Sequence, residues 1–371
     1  MTGLDVPSGA AGGGAAETAR LDQALAAIAA GAAELDRAPC FPREAFFHLG
    51  DAGVLAATIG ARRDGASVRA EWDLVRRAAA ADASVGRILD GHLNAVERLE
   101  VAADPEVRDR ELAAVAAGER LLGVWGADPG ADEGPPARLH EDGARLVLRG
   151  VKTFCSGAGG VDAALVMVGR DDGAPPSLAL LDCGAEVEVD RSWYRAAGLR
   201  ASESHRVVFH DAPVTAVLGE PGELARDPWF SRDAMRTAAS WAGMVDAAAA
   251  AALDELAERR AEEPLAQLAA GRIEAARGTV EAWLERAAVV ADAALAEGAS
   301  VDARATGIAM RAEIDRAAKV VMEAASTACG SHPYVTGGRL DRARRDLETF
   351  LLQHRLDPLL AKLGAARLAR R

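Results

Sequence analysis

A chain of 371 residues is too long for one small core and suits two or three packed units. Half of its residues are apolar but only 4% are aromatic, an alanine-dominated balance that points to helices rather than to a β-sandwich throughout. The formal net charge of −13 argues against a nucleic-acid or anionic-membrane surface, so neither partner is expected.

The opening "MTGLDVPSGAAGGGAAE" lacks the cationic and apolar runs of a signal peptide, and residues 1–16 read as a flexible tail. Residues 17–122 read as a helical domain. "LDQALAAIAAGAAELDR" and "EWDLVRRAAAADASVGRILDGHLNAVERL" repeat apolar residues at three- and four-residue spacing and read as helical. Between them, "FPREAFFHLGDAGVLAATI" predicts a short helix that starts after Pro42 and breaks at Gly50 and Gly53.

The texture changes near residue 121. Over 123–227, six short β-rich runs from "LLGVWGADPG" to "HRVVFHD" are divided by Gly, Pro and Asp turns, with no helix between them. That pattern predicts an antiparallel barrel or sandwich rather than a doubly wound sheet. Over 228–371 the helical period returns in four long segments, the last being "LDRARRDLETFLLQHRLDPLLAKLG", and predicts a four-helix bundle. The fold class is thus α+β in several parts: helices, a β-domain, then a bundle.

Cys40, Cys155, Cys183 and Cys329 lie far apart without metal-binding spacing, so no metal, reduced thiols and a cytoplasmic location are expected. No stretch has the length and apolarity of a membrane span. "SGAGGVDA" is glycine-rich but lacks the GxGxxG order and stands between two strands, which disfavours a dinucleotide loop. No Walker loop, HExxH or GxSxG occurs.

The order of parts and five segments together resemble the acyl-CoA dehydrogenase superfamily. "LLGVWGADPG" is similar to its first strand and Glu-Pro-Gly turn, with Asp128 for the Glu. "LRGVKTFCSGAGGVDAALVM" is similar to "GxKxWITNGxxAD", and "GLRASESHRVVFHDAPV" to "GxRxSxTxxVxFxDVxV". "MRTAASWAGMVDAAAAAALDELAERR" and "LDRARRDLETFLLQH" resemble the first and last bundle helices.

The resemblance implies a flavin, FAD or alternatively FMN, between the β-domain and the bundle. It puts Phe154 in the place of a flavin-stacking Trp and Ser156 in that of a hydroxyl at flavin N5. The strand and turn 124–130, with Trp125 and Ala127, would supply backbone donors to the ring. Arg259 falls at a position that pairs with the FAD pyrophosphate, although Glu262 and Glu263 follow it. Arg236 falls at an active-site arginine position, and Gly330 in a loop near the adenine of a partner's FAD. Read from the residues alone, Phe154 is a core aromatic, Ser156 a turn residue, Arg236 an exposed helix-start arginine and Arg259 a partner of Glu255.

His354 stands eight residues beyond Asp346, where the family has its catalytic glutamate; the other glutamate position of the family is Met235. As a lone histidine on a helix it reads as structural; in the family's register it is the catalytic base. The leading expectation is a dehydrogenase that oxidises the CH–CH bond of an acyl thioester with hydride transfer to N5. The alternative, which the histidine favours, resembles the monooxygenase branch: reduced flavin, a C4a-(hydro)peroxide, and His354 as base. A third reading is a non-catalytic scaffold of the same fold. Expected partners are a small-molecule substrate (acyl-CoA or aromatic), an electron-transfer flavoprotein or flavin reductase, and further copies in a dimer or tetramer.

Overall fold

The computed structural model describes residues 11–61, 65–143, 145–169, 173–223, 226–297, 302–335, 337–353 and 355–369. Five helices come first: α1 (Ala11–Arg37), α2 (Arg43–Asp51), α3 (Val68–Ala81), α4 (Ala83–Ala102) and α5 (Pro105–Ala116). The helical segment from Glu71 divides into two, α3 and α4. Asp82 leaves helical conformation at φ −152° and ψ 126°. Its carboxylate accepts from the Val85 N–H at 3.0 Å, so a residue that favours caps starts a new helix instead of continuing the old one.

Eight strands follow: β1 (Leu122–Trp125), β2 (Arg138–Asp142), β3 (Arg145–Cys155), β4 (Ala163–Val168), β5 (Ser177–Asp182), β6 (Val187–Asp190), β7 (His205–Pro213) and β8 (Ala216–Leu218). They form two four-stranded sheets, ordered β1-β4-β5-β8 and β2-β3-β7-β6. All pairings are antiparallel except β1 with β4, which run parallel, a departure from the wholly antiparallel expectation. β2 and β8 escaped the sequence pattern because "RLHED" is polar and "AVL" is too short to alternate. Trp125, Leu148, Val166 and Phe209 of the strands share one core with Leu49, Val75, Ile88 and Leu89 of α2–α4, so the β-domain is built onto the first helices.

The remaining helices are α6 (Trp229–Arg260), α7 (Pro264–Glu297), α8 (Ala303–Cys329), the short α9 (His332–Val335), α10 (Arg339–Leu352) and α11 (Asp357–Ala369). Alanine lets α6, α7 and α8 approach closely around Trp241, Ile273, Leu284, Ile314 and Phe350. The fourth expected helix is broken, since α10 ends at Leu352 and α11 begins at Asp357. Pro358 suits the first turn of a helix and not its interior, which places the break. α3 and α4 share packing with α6, Val68, Trp72 and Ala79 entering the bundle core, and so close the N-terminal helices onto it.

Candidate functional site

Where β3 ends, its register with β7 shifts between Lys152 and Cys155. A bulge of this kind re-aims a side chain. Phe154 takes φ +51° there and remains 47% exposed, an uncommon state for a bulky aromatic in an aromatic-poor chain. Its ring meets Trp193 edge to face, with centroids 4.9 Å apart. The Trp193 indole N–H donates to Glu133 Oε1 at 2.6 Å, and Glu133 Oε2 accepts from the Gly130 N–H at 2.7 Å. Two aromatic rings are thereby tied to the loop that follows β1.

That loop is held from below. Buried Lys152 donates to the Gly126 carbonyl at 3.2 Å and to Asp128 Oδ1 at 2.6 Å. The Ala127 carbonyl accepts from the Thr153 N–H at 3.1 Å. Ala127 itself is exposed, and a Cβ placed on Gly126 would meet nothing within 4 Å. An open backbone turn beside a half-exposed aromatic face fits a flat, polar-edged ring such as a flavin.

Ser156 lies next to Phe154, buried, and its hydroxyl shares a hydrogen bond of 2.9 Å with Ser204, which shares one of 2.8 Å with Ser202. The glycines after Ser156 serve packing and not phosphate. A Cβ on Gly159 would overlap the Glu203 carboxylate, and one on Gly160 would overlap the Phe41 ring. The loop before Ser202 is clamped to α10. Leu199 N–H donates to Asp346 Oδ1 at 2.6 Å, Gly198 N–H to Thr349 Oγ1 at 3.1 Å, and Arg345 to the Ala197 carbonyl at 2.7 Å. Burial pushes Asp346 up to about 7, with the Leu199 N–H acting in the opposite direction.

An aromatic run then leads from α4 into the bundle. The Arg87 guanidinium lies 5.5 Å from the centre of Phe350, Phe350 meets Trp241 edge to face at 6.0 Å, and Arg311 lies 5.3 Å from the Trp241 ring. Below it, α4 and α6 face each other polar to polar: Thr237 donates to Asp90 Oδ2 at 3.1 Å, Asn94 donates to Asp233, and Arg98 donates to the Trp229 carbonyl at 3.0 Å. Burial raises Asp90 to about 6.

Of the predicted residues, Phe154, Ser156 and Ala127 come together at one place, and Trp125 supports them from inside. The Trp125 side chain is fully buried and donates to the Ser156 carbonyl at 3.1 Å, so it positions Ser156. Arg236 needs correction more plainly. It is neither exposed nor at the helix start, but 0% exposed two turns into α6, with Glu71 and Glu97 as partners, the latter at 2.6 Å. Arg232 bridges the same two carboxylates. Burial alone would raise Glu97; Arg236 and Arg232 bring it down to about 2. Arg259 pairs with Glu255 at 2.8 Å on an exposed face. Gly330, at φ +72°, ends α8. His354 lies outside the described residues. Trp193, Lys152 and Arg311 were missed; a tryptophan among so few aromatics was the available signal for the first.

The arrangement of helices, two packed sheets and a helical bundle is the acyl-CoA dehydrogenase fold, and the superfamily the sequence resembles is supported by the proteins that share it. No family model matches the chain. The chain is similar to dibenzothiophene monooxygenase of Rhodococcus erythropolis, 32% identical over 166 residues, which cover 41% of this chain and 39% of that protein. The match thus spans less than half the length of this curated relative. Solved structures match over nearly the whole length. Methanesulfinate monooxygenase MsuC from Pseudomonas fluorescens has a TM-score of 0.83 at 22% identity, covering 95% of this chain and 96% of that one. KijD3, in complex with FMN and a dTDP-linked amino keto sugar, has a TM-score of 0.77 at 26% identity, covering 92% and 89%.

Proposed function

We propose that this chain is a reduced-flavin-dependent monooxygenase that uses FMN. The observation that carries the reading is the Phe154 platform, a strained, half-exposed ring beside the Ser156 hydroxyl and the open turn at Gly126–Asp128. The similarity to a dibenzothiophene monooxygenase and to the MsuC fold favours oxygenation over the oxidation of an acyl thioester. FMN in place of FAD agrees with Arg259, whose guanidinium is paired with Glu255 beside two further glutamates, and with the FMN in KijD3.

Bound reduced flavin would supply the activation of oxygen. The chain's own residues do the rest. Phe154 and Trp193 set the plane of the ring, Lys152 fixes the turn along its edge, and the Ser156 hydroxyl, backed by Ser204 and Ser202, holds a proton at the N5 side. His354, by its register after Asp346, is proposed as the base, and α10, which leads to it, is clamped to the loop before Ser202. The sulfinate in the name of MsuC and the nucleotide sugar bound to KijD3 support a polar small molecule as the proposed substrate class. A flavin reductase is the proposed partner. Further copies of the chain are also proposed, with support from α11, which has no buried residue and exposes Leu368.

Visible absorbance after addition of FMN tests the reading: uptake with an altered flavin band is expected. Product formation should then need oxygen and a flavin reductase, and acyl-CoA should not bleach the flavin anaerobically. Failure to take up either FMN or FAD would end the proposal. His354→Ala should lose about 10²-fold or more in turnover while still binding flavin; unchanged turnover removes His354 from the mechanism.

A further inference from the structure

Among the described residues, buried guanidiniums find different partners. Arg232 and Arg236 are each bridged by two carboxylates, and Arg98 donates to a backbone carbonyl. Arg311, on α8, is only 6% exposed, its Nε has no acceptor, and no carboxylate among the described residues lies within ion-pairing distance. The nearest influence is Asp233, whose carboxylate already accepts from Asn94 and faces Arg236 at 3.5 Å. A buried cation without a counter-charge is unfavourable on general grounds, and a stack on the Trp241 ring offsets only part of that. Such a charge is open to a counter-anion from outside the chain.

Its position relates it to the proposed base. Arg311 covers Trp241, Trp241 meets Phe350, and Phe350 is four residues before the proposed base on the chain. A guanidinium offers a planar fork of donors that matches an oxyanion.

We propose that Arg311 is the recognition residue for an oxyanion on the substrate. The site depends on the monooxygenase reading only for calling that ligand a substrate. The same chemistry is presented by a small organic sulfinate and by the phosphates of a nucleotide sugar, and binding experiments separate the two.

Titration calorimetry of the full chain, with and without FMN, uses methanesulfinate in one arm and dTDP in the other. The wild-type protein binds one of them. Arg311→Met weakens that binding at least 10-fold while its melting temperature stays equal or rises, because an unpaired buried charge has been replaced by an apolar side chain of similar length. Arg311→Lys, which keeps the charge but loses the fork, falls between. The proposal is overturned if neither anion binds the wild type, if Arg311→Met binds as the wild type does, or if Arg311→Met melts several degrees lower, which would make Arg311 a structural residue. Arg311-dependent anion binding without FMN uptake leaves the oxyanion site standing and removes the monooxygenase. FMN uptake with anion binding indifferent to position 311 does the reverse.

Discussion

Phe154 occupies a backbone conformation that glycine adopts freely and a bulky residue does not. Strain of this kind, on the order of 1–2 kcal/mol, persists where the surroundings over-determine it, and here Phe154 stands between Lys152 and Cys155, both held in register with β7, while the Thr153 N–H donates to the Ala127 carbonyl. Phe154→Gly should therefore leave the melting temperature close to that of the wild type, since relief of φ strain offsets the lost ring contact with Trp193. It should also weaken FMN binding roughly 10-fold, the size of one aromatic contact. Fluorescence titration with FMN alongside thermal melting checks both. Equal affinity would remove Phe154 from the flavin site; a large drop in melting temperature would return it to the reading of a core aromatic.

At the scale of elements, the decisive contact is between α10 and the loop at 197–199. A Cβ on Gly198 would overlap the Arg345 carbonyl, so the helix and loop meet backbone to backbone. Asp346 closes the contact. Its folded pKa of about 7 lies above the ordinary 3.8, so the folded state binds this proton more tightly than the unfolded chain does. The stabilisation from it is complete below about 3.8 and is lost as pH rises towards 7. Asp346→Asn keeps an acceptor for the Leu199 N–H without the charge. It is expected to flatten the fall in stability between pH 4 and 7, and to stabilise the protein at pH 8 by on the order of 2 kcal/mol. Denaturant unfolding at pH 5 and pH 8 decides this: the same slope in variant and wild type would show that Asp346 does not titrate in this range. His92 works in the opposite direction. Burial lowers it to about 4 from 6.5, so the stability linked to it rises with pH over that interval. The comparison of Asp346→Asn with the wild type isolates the carboxyl from the histidine.

For the whole molecule, the quartet of Glu71, Glu97, Arg232 and Arg236 ties α3 and α4 to α6, the seam on which the N-terminal helices and the bundle are joined. Arg236→Met leaves two buried carboxylates with one guanidinium and should cost about 3–5 kcal/mol, read as a shift in the denaturation midpoint. If Arg236 instead acted directly on substrate, the variant would keep its stability and lose turnover.

Much of the fold was legible in the chain itself. Alanine-rich 3.6-residue periodicity and the change to short β-runs near residue 121 follow from local propensity, and the motifs carried the superfamily. Within the candidate site, Phe154 and Ser156 stand side by side as the motif spaces them. The exposed helix-start reading of Arg236 and the unbroken last helix were misjudged for one reason: local pattern records what a residue prefers, not which distant groups meet it. Asp82 reads as one polar residue in a helix until its cap on Val85 is seen.

By itself, then, the sequence determined the order of parts, the resemblance and the residues available for chemistry, because these depend on neighbours along the chain. Only the tertiary structure decided that Arg236 is bound within a buried quartet and that Arg311 is not, since pairing of buried charge is set by contacts between residues far apart in the chain.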